Sequence, residues 1–196
     1  EQNLLQIILL SWKKFFLHYK KFAIYTISLY TFYILLLERF SIIMDVKIIN
    51  PFLSATLNTF QQMFQITSTN KEPFVVDIKT GHPWEVSGLL GITGDYSGVV
   101  AVRLHKILAY KLLELSGLKE IPEEEKLELS QELVSEFTNI VSGNAVSSIP
   151  WINLNVSPPV TITGKDHIIS WPRNYPVVGI PFITPYGPYE VDVCFK

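Results

Sequence analysis

A glutamate and an asparagine three residues apart, Glu136 and Asn139, are the residues of this sequence with the clearest potential for chemistry. They lie in the stretch 125–149, whose apolar residues recur at helical spacing. At about 100° per residue, one stripe on the side away from the apolar residues contains Glu132, Glu136, Asn139 and Gly143. A carboxamide donates and accepts hydrogen bonds at once, so Asn139 could hold a water molecule in a fixed orientation.

The residues around this stripe predict a long helix that begins at Pro122. Proline is favoured at the first helical position, and Glu123, Glu124 and Glu125 follow in the first turn, where the helix dipole favours negative charge. The face that must be buried consists of Leu133, Val134, Phe137, Ile140, Val141 and Ala145. On the opposite face Gly143 removes side-chain bulk where a partner surface could approach.

The Glu-x-x-Asn spacing is not specific by itself. Two carboxylates one turn apart, Glu132 and Glu136, repel each other weakly in an isolated helix. Polar residues at this spacing are also common on the solvated faces of helices. Assignment of a function therefore needs support from other parts of the sequence.

Composition excludes several classes of protein. The chain has 196 residues, of which 48% are hydrophobic, which is enough for one domain with a core and an extension. A net charge of -2 gives no attraction to nucleic acid. The single cysteine, Cys194, excludes an intramolecular disulfide and is typical of a reducing compartment. The four histidines are scattered and predict no metal site: His18, His82, His105 and His167.

Residues 1–43 form an extension of different composition. They contain no Gly, Pro, Val or Asp and are dense in Leu, Ile, Phe, Tyr and Lys. The apolar run 22–37 follows four lysines and could be a short membrane span or a signal-peptide core, although it is shorter than the roughly 18 apolar residues that a span needs.

More positive residues precede this run than follow it, and positive residues favour the cytoplasmic side of a membrane. A span here would therefore put residues 44–196 on the outer side. An alternative is that Met44 is the true start and that residues 1–43 are upstream sequence of an AT-rich gene read in frame. We expect this alternative, with a domain that covers 44–196.

The rest of the chain predicts helices and strands in a repeated order. A helix from an Asn50 N-cap and Pro51 would bury Leu53, Leu57, Phe60 and Phe64. A second helix covers 106–116 and ends at Gly117. The predicted strands or extended segments are 74–79, 85–93, 98–104, 156–163, 168–171, 177–183 and 189–195.

The two halves of the domain are similar. Ile92-Thr93, a loop and a Val-rich strand parallel Ile183-Thr184, a loop and the last strand. In the first half, Ala55 and Asn58 would correspond to Glu136 and Asn139. The sequence therefore predicts an α+β fold in which two helix-plus-three-strand halves form an antiparallel or mixed sheet, with long helices packed on one face.

Several motifs in this order resemble the CheC/CheX/FliY chemotaxis phosphatases, and the CheX family most closely. They are Asn50-Pro51-Phe52, Gly91-Ile92-Thr93-Gly94 with Gly98, Glu136-x-x-Asn139-x-x-x-Gly143, and Ser157-Pro158-Pro159 followed by Thr163-Gly164-Lys165. The resemblance covers residues 44–196. A single Glu/Asn pair, on the long helix, is similar to CheX rather than to the two-site CheC. Glu132 stands where the family often has Ser or Asp.

The resemblance implies a CheC-like fold and an aspartyl-phosphate phosphatase that acts on the phosphorylated response regulator CheY. Glu136 and Asn139 would be its catalytic residues: Asn139 would orient the hydrolytic water and Glu136 would pair with a lysine of the partner. Glu132, Ser135 and Gly143 would contact the partner.

The resemblance also implies the cofactors, the partners and the location of the protein. The protein would have no cofactor or metal of its own, because Mg²⁺ is bound by the response regulator. We expect a cytoplasmic homodimer that binds no nucleic acid, and membrane attachment only if residues 1–43 are genuine. Two alternatives stay open, namely a non-catalytic adaptor or dimerisation module that binds response regulators, and a structural part of a flagellar switch.

Overall fold

The computed structural model describes residues 47–79, 82–118, 120–173 and 175–196. The extension 1–43 and its proposed boundary at Met44 lie outside these residues. No helix in the described ranges combines the length and apolarity needed to cross a membrane.

Three helices and eight strands make up the described fold. The helices are α1 (residues 47–64), α2 (Lys106–Leu115) and α3 (Lys126–Ser147). The strands are β1 (Thr69–Asn70), β2 (Phe74–Val75), β3 (Val86–Gly94), β4 (Gly98–Leu104), β5 (Leu154–Val156), β6 (Val160–Thr163), β7 (Val178–Thr184) and β8 (Gly187–Phe195).

All eight strands join one antiparallel sheet in the order β1-β7-β8-β4-β3-β5, with β2 also on β7 and β6 also on β3. The two hairpins, β3-β4 and β7-β8, meet at the centre, where Val100 lies opposite Val193. The short strands of each half pair with a long strand of the other half. β1 and β2 of the first half pair with β7, and β5 and β6 of the second half pair with β3. The sheet therefore cannot be divided into two independent halves.

The helices share one apolar core on one face of the sheet. Its centre is aromatic: the Phe60 and Phe182 rings each stack on Tyr189 with ring centroids 4.9 Å apart, and Phe137 meets Phe60 edge-on at 5.9 Å. Residues from α1, α2, α3 and the four long strands all contribute to this core. The predicted fold class, an α+β domain with helices packed on one face of an antiparallel sheet, is confirmed.

The burial pattern gives the correspondence between α1 and α3. Buried positions recur with a constant offset of 82 residues, as in Ile48 with Ser130, Phe52 with Val134, Ala55 with Phe137, Thr56 with Thr138, Thr59 with Val141 and Phe60 with Ser142. This offset pairs Glu136 with Ser54 and Asn139 with Leu57. The sequence prediction, which paired them with Ala55 and Asn58, was one position out because it aligned polar side chains rather than buried faces.

Both long helices begin at different residues than predicted. The helix α1 already includes residues 47–50, because Ile48 and Ile49 are buried in the core, so Asn50 is not its N-cap. The helix α3 begins at Lys126. Pro122 opens a hydrogen-bonded turn before it, in which the Pro122 carbonyl accepts from the Glu125 and Lys126 N–H groups at 3.0 and 3.3 Å.

Two predicted strands are shorter or divided. The segment 74–79 contributes only Phe74–Val75, whereas 168–171 is an extended connection, one of the two forms predicted for it. The predicted strand 156–163 divides into β5 and β6, because Pro158 and Pro159 lack the N–H groups that a continuous ladder needs. The predicted strands 85–93 and 98–104 and the helix α2 are confirmed.

A buried charge cluster lies on the sheet face away from the helices. Arg103 Nη1 donates to Asp192 Oδ2 at 2.6 Å and lies 3.9 Å from Glu190 Oε1. Burial, with the neighbouring Glu190 carboxylate, raises the pKa of Asp192 to about 7, although Arg103 acts in the opposite direction. Burial therefore favours the protonated form of Asp192 more than it is favoured in an exposed aspartate.

We predict that Asp192 makes the protein less stable as pH rises. A carboxyl whose pKa is higher in the folded than in the unfolded state stabilises most below the unfolded pKa of about 3.9, and this contribution is lost as pH rises through about 7. The effect is at most about 1.4 kcal/mol per pH unit. Urea unfolding from pH 5 to pH 8 should show a smaller decline for Asp192→Asn than for the wild type. Equal pH dependence of the two proteins would contradict the assignment.

Candidate functional site

The helix α3 is oriented by its buried face. Val134, Phe137 and Val141 are buried in the core and Thr138 is buried against the sheet, whereas Glu136 is exposed on the opposite side. Phe137 lies within 6 Å, centroid to centroid, of both Phe60 and Phe64. Rotation of α3 about its axis would withdraw this ring from the aromatic centre.

A close approach to the sheet fixes the height of α3. Gly88 of β3 lies directly beneath it: a Cβ at this position would overlap Thr138 Oγ1 and lie 3.0 Å from the Val134 carbonyl oxygen. Thr138 Oγ1 itself donates to that carbonyl at 2.6 Å. Only glycine allows helix and strand to come this close.

Hydrogen bonds at two places fix the register of α3 along its axis. Gln131 Nε2 donates to Thr163 Oγ1 at 2.8 Å, and Thr161 Oγ1 donates to the Gln131 carbonyl at 3.2 Å, so β6 holds the N-terminal half. Asn144 Nδ2 donates to Thr59 Oγ1 of α1 at 3.3 Å and holds the C-terminal half. The exposed stripe lies between these anchors.

The five residues predicted for the site all lie on the outer side of α3. Glu132 and Glu136 are exposed, whereas Ser135, Asn139 and Gly143 are half-buried. The side chains of Glu136 and Asn139 make no hydrogen bond or ion pair with other residues in the described ranges. The Glu136 carboxylate and the Asn139 carboxamide can therefore contact a partner, and the packing of α3 fixes their positions.

Gly143 leaves open space at the end of the stripe. A Cβ built at this residue would meet no heavy atom within 4 Å, so packing inside the protein does not require glycine here. A glycine within a helix costs about 1 kcal/mol relative to alanine. Because packing inside the protein does not explain glycine at position 143, contact with a partner is a reason for it.

The functional groups of the stripe are two carboxylates, one carboxamide and one hydroxyl. Within the described ranges, no group of three or more His, Cys, Asp or Glu side chains could hold a metal ion. The stripe itself has no histidine, cysteine or lysine. Its chemistry is limited to hydrogen bonding by Asn139, charge from the glutamates and the Ser135 hydroxyl.

Sequence reasoning missed the residues that position the site. The sequence patterns single out neither Gly88 nor the residues that anchor α3 to β6: Gln131, Thr161 and Thr163. Their contacts join segments about 30 to 50 residues apart, so only the strand pairing reveals them. The one local signal was a glycine in the middle of an apolar strand, which indicates close approach of another backbone.

The fold is similar to those of several solved chemotaxis proteins. A chemotaxis protein CheX from Desulfovibrio desulfuricans is 28% identical with a TM-score of 0.69, covering 76% of this chain and 99% of that one. CheX from Vibrio vulnificus is 25% identical with a TM-score of 0.66, covering 76% and 99%. The fold is also similar to that of CheX in a CheX-CheY-BeF3-Mg²⁺ complex from Borrelia burgdorferi, at 24% identity, a TM-score of 0.64 and coverage of 76% and 97%.

The family follows from the sequence match. The model of the chemotaxis phosphatase CheX matches residues 86–183, half of the chain, from the start of β3 through α3 and into β7. No curated protein matches the sequence. This chain belongs to the CheX family of chemotaxis phosphatases, and the predicted resemblance is confirmed.

We predict that Gly88→Ala destabilises the protein. The added methyl group must displace the Thr138 hydroxyl and the α3 backbone, and overpacking of this kind typically costs about 1–3 kcal/mol. Gly91→Ala in the same strand is the matched control, because its Cβ would meet Ser157 Oγ at an ordinary 3.5 Å. Urea unfolding measures both. A Gly88→Ala protein as stable as the Gly91→Ala control would show that α3 does not depend on this close approach.

Proposed function

We propose that this protein dephosphorylates a phosphorylated CheY-type response regulator by inserting the exposed stripe of α3 into the regulator's active site. The observation that carries the proposal is the pair Glu136 and Asn139, which are held rigidly and lack partners among the described residues. Membership of a phosphatase family supports the reaction class. The Borrelia structure supports the partner class, because there a CheX is in complex with CheY, BeF3 and Mg²⁺.

The reaction requires little chemistry from this chain. Hydrolysis of an aspartyl phosphate passes through a loose transition state, so positioning and electrostatics supply most of the catalysis. The regulator provides the phosphoryl group and binds the Mg²⁺, which neutralises developing charge. What this chain adds is an oriented nucleophile.

Asn139 takes the role of orienting the water. Its carboxamide oxygen accepts from the water and its N–H group donates to a phosphoryl oxygen or to the water itself, which aligns the attack with the leaving aspartate. The carboxamide is neither protonated nor consumed in this step. Anchors on both sides of Asn139 keep it in place without rearrangement on binding.

Glu136 and its neighbours hold the complex together. The Glu136 carboxylate pairs with a lysine of the regulator and fixes the register of α3. Gly143 allows close approach of the partner backbone, and Ser135 offers a hydroxyl one turn before Asn139. Glu132, at the rim, adds electrostatic steering more than affinity.

The proposal also includes the bounds of the domain, its location in the cell and its oligomeric state. Residues 44–196 form the phosphatase domain, which needs no cofactor of its own. We propose a cytoplasmic location, which the partner class supports. Strand edges at β1, β2 and β5 leave backbone groups available for pairing, and we propose that two copies form a homodimer through β-structure.

We predict that Asn139→Ala abolishes most of the acceleration of regulator dephosphorylation. Loss of a preorganised hydrogen-bonding group in an active site typically costs about 10²-fold in rate. The measurement is the decay of a phosphorylated CheY-type regulator with Mg²⁺ and the full chain at saturating concentration. Asn58→Ala removes an exposed carboxamide from α1 and should retain the wild-type rate. Equal rates for Asn139→Ala and wild type would refute the water-orienting role, and binding without any acceleration would indicate an adaptor.

We predict that Glu136→Ala acts mainly on affinity. Loss of the pairing with the regulator's lysine should raise the Kd for the beryllofluoride-activated regulator by about tenfold, or about 1.4 kcal/mol. Glu72→Ala removes an equal charge from an exposed position outside α3 and corrects for net charge. Fluorescence anisotropy of a labelled regulator measures both. An unchanged Kd for Glu136→Ala would remove this residue from the interface.

A further inference from the structure

A tryptophan is exposed just after the C-terminal end of α3. Trp151 is 56% exposed, more than any other Phe, Tyr or Trp side chain in the described ranges. Within those ranges its indole makes no hydrogen bond and no ring contact. A large aromatic side chain gains free energy when a partner removes it from water, so Trp151 is available as a contact for another protein.

The turn that carries Trp151 is fixed on both sides. Ile149 is buried in the core, and the Ile152 N–H donates to the Ile149 carbonyl at 3.3 Å, which closes a turn around Trp151. The Asn153 N–H donates to Asp95 Oδ2 at 2.8 Å, and the Asp95 N–H donates to the Asn153 carbonyl at 2.9 Å. These bonds join the turn to the connection between β3 and β4. The turn therefore holds Trp151 outside the core.

The turn continues the outer stripe of α3. Positions 132, 136, 139 and 143 follow at intervals of four, three and four residues, and the same spacing leads to 146 and 150. The helical winding persists this far, because the Ile149 N–H donates to the Val146 carbonyl at 3.1 Å. Pro150 is exposed, and Trp151 is the next residue. The stripe therefore leads to the exposed tryptophan.

Asn139 and Trp151 are close enough to lie under a single partner. A helix rises about 1.5 Å per residue, so Ser147 at the end of α3 lies about 12 Å along the axis from Asn139. The four residues from Ser147 to Trp151 add at most about 14 Å. A typical interface buries about 800 Å² on each side, which corresponds to a circular patch about 32 Å across. One such patch covers both residues.

The stripe itself has no large apolar group. Its polar groups suit orientation and chemistry, whereas the binding energy of an interface comes mainly from a few large side chains, among which tryptophan is enriched. Asn139 is proposed to act on the chemical step. Affinity for the regulator therefore needs another contact, and Trp151 is the exposed aromatic side chain at the end of the stripe.

We propose that Trp151 is a determinant of affinity for the CheY-type regulator, and that its indole packs against apolar surface beside the regulator's phosphorylation site. The inference rests on the proposed function, because the regulator reaches Trp151 when it covers the stripe of α3. Trp151 takes no part in the chemical step. It determines how tightly the regulator is held.

The first test separates affinity from rate. Trp151→Ala should raise the Kd of the full chain for the beryllofluoride-activated regulator at least about tenfold and change the dephosphorylation rate at saturation by less than about twofold. Phe74→Ala is the matched control. It removes an aromatic ring that is 44% exposed on β2, at the opposite edge of the sheet from β5, and should leave both the Kd and the rate unchanged.

The second test observes the contact directly. The full chain is labelled with 5-fluorotryptophan, and Trp151→Phe assigns the Trp151 signal by fluorine NMR. Saturating activated regulator should shift or broaden this signal. The signals of Trp84 and Trp171, which line a cavity together with Arg103 and Glu190, should stay unchanged. Because the measurement uses the wild-type side chain, it decides the question even if Trp151→Ala fails to fold.

Two results would overturn the inference. They are a Trp151 signal that does not respond to bound regulator, and a Kd for Trp151→Ala within about twofold of the wild type. A Trp151 signal that changes with protein concentration in the absence of regulator would show that a second copy covers the indole, which also contradicts it.

The outcome for Trp151 can be distinguished from the outcome for the phosphatase proposal. If the wild type accelerates dephosphorylation, Asn139→Ala does not, and Trp151→Ala binds normally, only the inference about Trp151 is wrong. If Trp151→Ala loses affinity and Asn139→Ala keeps the wild-type rate, the contact is supported and the water-orienting role is refuted. Absence of regulator binding by the wild type would overturn both.

Discussion

The close packing of α3 on β3 at Gly88 is the contact on which the rest of the structure depends. It sets the depth of the helix, and the aromatic centre around Phe137 sets its rotation. With depth and rotation fixed, the outer stripe has one possible position. A phosphatase that supplies only an oriented water needs this rigidity, since a misplacement of about 1 Å can cost 10²-fold in rate.

The short strands of each half pair with the other half, so the position of α3 depends on the whole sheet. The strand β6, which anchors Gln131 of α3, belongs to the second half but pairs with β3 of the first. The two halves are therefore joined, and α3 of the second half packs on β3 of the first at Gly88. In α1 the corresponding residues are Ser54 and Leu57, so the duplicated helix keeps its core-facing pattern but not the chemistry of α3.

Much of the fold could be predicted from local patterns. The apolar segments 85–93 and 98–104 were sufficient to predict the central strands β3 and β4, and the apolar periodicity of α3 assigned its buried face. The missed features depend on tertiary structure: Ile48 and Ile49 extend α1 because the core covers them, and Thr163 contacts Gln131 only after β6 pairs with β3. The charges of Arg103, Glu190 and Asp192 are separate in the sequence and meet only through the pairing of β4 and β8.

The central claim is that Asn139 acts on the chemical step and not on binding. The most direct measurement is single-turnover decay of a phosphorylated CheY-type regulator at saturating full-length protein, together with the Kd for the beryllofluoride-activated regulator. The account predicts that Asn139→Ala lowers the rate about 10²-fold and changes the Kd by less than about threefold. A mutant with an unchanged rate, or one whose loss of rate disappears at saturation, would contradict it.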